Sequence, residues 1–211
     1  MATAVVTNTD PRLGDNEYKH GVIILTGQDL SGGSVLGEIS IGAISGVVTG
    51  TGNPTISAIV AGSATLVGDY VVDFSGATAF DVIDPNGVLL GSGATGVEFS
   101  NEHLTFTITV GGTPADATTV FTLTVAEGSG KLKLADKSSV DGSQIGKYIL
   151  VNALDTSATG TNADVTGYSV LAFGRVRGEL LIFGGTDVIA DQEANLRDVG
   201  IRIETALTSL D

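Results

Sequence analysis

The chain has 211 residues, 42% of them hydrophobic, and a formal charge of −14 from 24 acidic and 10 basic residues. That balance argues against nucleic acid as a direct partner, because affinity for phosphate backbones depends on Lys and Arg displacing counterions. The absence of Cys removes any disulfide framework or thiolate metal site, and no stretch approaches the roughly 18 apolar residues of a membrane span.

In chain order, residues 1–18 carry no amphipathic period and little to bury, so they read as an extended arm that is disordered alone. MATAVVTNTDPR lacks a basic segment followed by an apolar core, and synthesis in the cytoplasm is expected. Residues 20–26 (HGVIILT) and 35–39 (VLGEI) read as short strands. Between Lys19 and Lys131 no Lys or Arg occurs, although ten acidic residues do, and this shift suggests a module boundary. Inside that interval Leu104, Phe106, Ile108 and Val110 alternate with Thr105, Thr107 and Thr109, the pattern of a half-buried strand. Phe121, Leu123 and Val125 repeat it, and Tyr70, Val72 and Phe74 form a third apolar row. Six of the eleven aromatics lie from Tyr70 to Phe121, enough to centre a small sandwich core. Asp84-Pro85-Asn86-Gly87 reads as a turn joining residues 80–83 and 88–90 in a hairpin. Beyond it, residues 131–134, 148–151 and 169–181 read as strands. A short helix follows, with Asp191 as N-cap and Gly200 as its left-handed stop, and the chain then returns to extended structure at 201–204.

These elements predict a mainly β protein: a small mixed β platform with one short C-terminal helix, interrupted by an inserted immunoglobulin-like β-sandwich. The boundaries read from the sequence are an arm at 1–18, a discontinuous platform at 19–42 and 129–211, and an insertion at 43–128. An insertion with adjacent ends is tolerated where a structureless loop of that length is not.

Chemical motifs are weak. Gly91-Ser92-Gly93-Ala94-Thr95-Gly96 matches the dinucleotide fingerprint but leads into a strand, so no helix N-terminus would meet a phosphate. Gly128-Ser129-Gly130-Lys131 resembles the end of a P-loop, yet the first glycine and the metal-binding hydroxyl are missing. His20 and His103 fall in separate predicted modules, and no G-x-S-x-G elbow occurs. Asp81, Asp84 and Asn86 offer oxygen ligands but match no EF-hand spacing, and a capped turn is the simpler reading. No catalytic, cofactor or metal site is therefore expected, and no enzymatic activity. Lys131, Lys133, Arg175 and Arg177 make the platform relatively basic and are candidate interface charges.

The platform resembles the head decoration protein family of lambda-like tailed bacteriophages. The resemblance rests on the order and spacing of VLGEI, GKYILVN, SVLAFGRVRGELL and ADQEANLRDVGIRIE, with a polar arm ahead of them. It implies a homotrimer on the outer capsid surface at three-fold positions, stabilising the shell, with the major capsid protein as partner. The arm, with Val5, Val6, Thr7, Pro11 and Tyr18, would bind the capsid by pairing with an exposed strand edge, and three arms would act together. Many members of the family are little more than half this length, and the insertion could also contact a glycan or a host surface. A secreted or surface carbohydrate-binding or adhesin sandwich is the competing reading; it would need exposed aromatics for stacking on sugars, and the chain has no Trp.

Overall fold

The computed structural model describes residues 10–204. Its strands, in chain order, are β1 (Arg12–Ile24), β2 (Asp29–Leu30), β3 (Val35–Glu38), β4 (Ile41–Thr49), β5 (Thr55–Ile56), β6 (Val60–Ala61), β7 (Gly68–Phe74) and β8 (Ala79–Ile83). They continue as β9 (Leu89–Ala94), β10 (Glu98–Ser100), β11 (Leu104–Thr109), β12 (Val120–Glu127), β13 (Leu132–Leu134), β14 (Gly146–Ile149), β15 (Leu154–Asp155), β16 (Val165–Arg177) and β17 (Ile201–Glu204). The α-helix, α1, spans Ile189–Asp198. The protein is mainly β and forms two compact units, one from the flanks Met1–Ile39 and Gly130–Asp211, the other from Ser40–Ser129.

In the flanking unit the strands run in the order β1-β13-β3-β14-β16, and β16 pairs again with β1, which closes a five-stranded barrel. β17 adds beside β16 in parallel, from Gly174↔Ile201 to Arg177↔Glu204. Adjacent residues on three strands point into different cores. Leu36, Leu150 and Val170 belong with Ile24 and Leu132 in one cluster, while Val35, Ile149 and Leu171 belong with Leu196 of α1 and Ile201 in another. Strands buried on both faces read as unbroken apolar pairs, which is why VL, IL and VL stand where they do.

The other unit is a sandwich. A five-stranded antiparallel sheet, β4-β12-β7-β8-β9, faces a smaller one in which β11 pairs with β10, β5 and β6. Tyr70, Phe74, Phe80, Phe106 and Phe121 are all at most 2% exposed between them. Gly93 of the fingerprint-like stretch serves this core, since a Cβ there would sit 2.5 Å from the Phe80 ring. Asp84 Oδ1 accepts the N–H groups of Asn86 and Val88 at 2.9 and 2.7 Å, a capped turn between β8 and β9.

Three expectations need correction. Ile41 and Gly42, placed with the platform from sequence, open β4, whose ladder with β12 starts at Ile41↔Glu127. The arm does not extend to residue 18, because β1 begins at Arg12 and pairs along β16 from Arg12↔Val176 to Ile24↔Val165. Most of its side chains are exposed or half-buried, so the backbone ladder holds it and no apolar period betrays it. Asp191 is not the helix cap: Val188 occupies that position, and the Asp191 carboxylate, one turn in, accepts its N–H at 2.9 Å. Gly200, at φ +85°, ends the helix in the left-handed region.

Candidate interaction surface

Val5, Val6 and Thr7 lie outside the described residues. Pro11 is buried, and its carbonyl accepts the N–H of Arg177 at 2.8 Å. Tyr18 is half-buried against the cluster shared with α1, and its hydroxyl accepts a hydrogen bond from Arg12 Nη1 at 3.0 Å. Both residues are therefore part of the platform wall.

The four candidate charges do not form one patch. β13 meets β1 at Ile24↔Leu132, whereas Arg175 pairs with Leu13 near the other end of β1. At about 3.3 Å per residue the two sets lie on the order of 35 Å apart along that strand. Three of the charges are also occupied within the chain. Lys131 pairs with Asp164 at 2.6 Å, Lys133 with Asp141 at 2.8 Å and Arg175 with Glu204 at 3.0 Å. The hydrogen bond from Lys131 holds the Asp164 carboxyl below its ordinary range. Burial pushes Asp141 up, but the hydrogen bonds from Lys133 and Ser143 outweigh it and hold this carboxyl low as well. Arg177 is half-buried beside the Asp10–Arg12 ion pair, and its field adds slightly to the depression of Asp10, which comes first from the Arg12 hydrogen bond.

A different group of residues makes the more distinctive surface. Phe173 on β16 is 51% exposed and leans over Gly200, where any side chain would collide with its ring. Beside it runs an open groove lined by Arg175, Arg197 and Arg202, with Asp15 and Glu193 at its margins. Arg197 and Arg202 make no side-chain hydrogen bond or ion pair among the described residues, in a chain with more than two acids for every base. An exposed aromatic ringed by guanidinium groups has the composition of a protein contact, since such residues concentrate the binding energy of interfaces. Phe173 and Arg175 share the outward face of β16, two residues apart, and that spacing was the sequence signal for this surface. Arg197 and Arg202 were not predictable, because only the return of β17 beside β16 brings them there.

The histidines stand apart. His20 Nδ1 is 2.6 Å from Ser169 Oγ on the barrel, and His103 Nδ1 is 3.1 Å from the Tyr70 hydroxyl in the sandwich. Among the described residues no group of three or more His, Asp or Glu is placed to hold a metal ion, and no helix is long and apolar enough to cross a membrane.

No protein-family model matches the chain, and no curated protein matches it. Two crystal structures of Xanthomonas campestris FlgL, in space groups H3 and C2, share 16% and 17% identity with it over 46% and 50% of its length. The chain covers 33% of FlgL in each case, and a TM-score of 0.32 is too low to transfer fold or function.

Proposed function

We propose that the protein is a non-enzymatic structural virion protein that binds the outer surface of a tailed-phage capsid as homotrimers at three-fold positions and stabilises the shell. The observation that carries this reading concerns the four segments on which the family resemblance rests. VLGEI, GKYILVN, SVLAFGRVRGELL and ADQEANLRDVGIRIE are scattered over the chain, yet they supply β3, β14, β16 and the α1–β17 return, which are consecutive neighbours in one sheet. A resemblance spread over order and spacing has physical meaning when its pieces fold into one unit.

On this reading, attachment uses the groove beside Phe173 together with the arm. Pro11 is held at the β16 end that carries Arg175 and Phe173, which bears on the groove as the attachment surface. The arm contributes backbone pairing and the groove contributes the aromatic and guanidinium anchors.

Co-sedimentation with undecorated shells tests the proposal, alongside light scattering for the oligomer. The full chain is expected to sediment as trimers with the shells, and removal of residues 1–9 or Phe173→Ala is expected to lower occupancy sharply with little change in melting. Absence of shell binding by the full chain overturns the function. Undiminished occupancy by both variants keeps the function and moves the attachment surface elsewhere.

A further inference from the structure

From the outer edge of the sandwich we infer a second interaction, the pairing of β4 with β4 of a second copy of this chain. β4 ends the order of the five-stranded sheet, and among the described residues nothing pairs with its free side. Its nine residues, IGAISGVVT, contain no charge and no proline. From Ile44 to Thr49 its ladder with β12 is unbroken, the single shift falling at its start. Edge strands are ordinarily protected from association by charge, proline or a bulge, and this one has none over those six residues. The opposite edge, β9, is interrupted by a register shift and by Gly91 at φ +148°.

Burial across β4 shows an incomplete core. Ile44, Gly46 and Val48 stand opposite Val125, Leu123 and Phe121 and face inward with them. Phe121 is 2% exposed and Leu123 0%, but Val48 is 38% exposed: Ile56 and Ile59 cover β4 at Gly46, and the end of the strand is left open. On the outer face Val47 is 62% exposed.

The occupant follows from charge and symmetry. Residues 40–129 carry eight acidic side chains and no Lys or Arg, so two copies repel except where β4 offers an uncharged edge. Antiparallel pairing of β4 about a two-fold axis near Ser45 places Ala43 opposite Val47 of the partner, with no like charges facing. Such an isologous contact uses both free edges and closes, and the interrupted β9 edge does not propagate it into a fibre. One strand pair buries less than the roughly 1,600 Å² of a standard interface, so the contact is weak alone and strengthened where copies are already held close.

The absence of Cys makes the test direct. In the full-length protein Ser45→Cys is expected to form an inter-chain disulfide under mild oxidation several-fold faster than Leu89→Cys, which is similarly exposed on β9. Mixing Ala43→Cys with Val47→Cys is expected to give the crossed product in preference to either self-linked one. In sedimentation velocity the pair A43K/V47K sets Lys against Lys twice and is expected to weaken self-association by about tenfold, while A43K/V47E restores it. Equal disulfide rates for Ser45→Cys and Leu89→Cys, or self-association indifferent to both charge pairs, overturns the inference. None of these readouts involves a capsid, so their outcome is separate from that of shell binding.

Discussion

The sandwich and the platform solve the same problem with different materials. The sandwich buries six aromatic rings in one cluster, with Phe99 and Phe106 stacked at 5.2 Å and Phe80 and Phe106 at 6.2 Å. The apolar side chains buried in the platform are small and aliphatic, divided between the barrel interior and the layer under α1. Their polar groups differ as well. All six salt bridges among the described residues belong to the platform, whereas the acids of the sandwich lean on hydroxyls, as in Asp81 with Ser92 and Asp69 with Thr124. A single bulky core makes one unit sensitive to one ring, and a divided core makes the other depend on the polar joints that hold its layers together.

The largest expected effect is therefore in the sandwich. Phe106→Ala removes a ring 2% exposed at the centre of that cluster and is expected to cost about 3–5 kcal/mol there. Calorimetry should show the sandwich transition fall while the platform transition stays; a joint fall would mean that the two units do not melt separately. The platform counterpart is Gln192 on α1, which is fully buried. Its Oε1 accepts the Gly146 N–H at 2.9 Å, and its Nε2 donates to the Gln144 carbonyl at 3.0 Å and to Asp187 at 2.7 Å, tying the helix to β14. Gln192→Leu strands these partners and is expected to cost about 2–3 kcal/mol, confined to the platform transition.

The sequence disclosed these two regions unequally, for the same physical reason. Strands β11 and β12 are buried on one face only, so Leu104-Phe106-Ile108 and Phe121-Leu123-Val125 declare themselves by alternation. The first part of β1, ahead of His20, hides because its exposed and half-buried side chains follow no period and a register shift falls near Gly14, at positive φ. β4 hides for the opposite reason, since an uncharged strand with two glycines looks like a linker. Gln192 stands among the polar residues of a short helix, and nothing local separates it from its exposed neighbours. The groove beside Phe173 joins residues from β16, α1 and β17, which only the tertiary fold assembles.

Acid should separate the units next. Asp10, Asp136, Asp141, Asp155, Asp164 and Asp191 of the platform are all held below their ordinary range, by hydrogen bonds from Arg, Lys, Ser and Thr side chains and from backbone N–H groups; in the sandwich Asp116 is held low through Thr118. A carboxyl whose folded pKa is depressed contributes stability that is complete above its unfolded pKa of about 3.9 and lost as pH falls through the folded value. Between roughly pH 5 and 2 the platform transition should accordingly fall further than that of the sandwich. Protonation also relieves the sandwich of its mutual repulsion. A sandwich that melts first on acidification would refute this assignment of the two polar networks.

The smallest effect has the most informative sign. Raising sodium chloride from 0.05 to about 1 M shortens the screening length to about 3 Å and weakens interactions between exposed charges. In the sandwich there is no Lys or Arg to lose, only eight carboxylates that repel one another, so screening should raise its melting temperature. In the platform the same screening weakens pairs such as Lys137–Asp191 and Arg175–Glu204, whose exposed side chains contribute little to stability. The platform transition should fall slightly or stand still, and the gap between the two transitions should change in favour of the sandwich. Arg175→Met supplies the check on the cause: it removes one pair, is expected to change stability by less than about 0.5 kcal/mol, and should make the platform less responsive to salt. A sandwich destabilised by salt would overturn this account of its carboxylates.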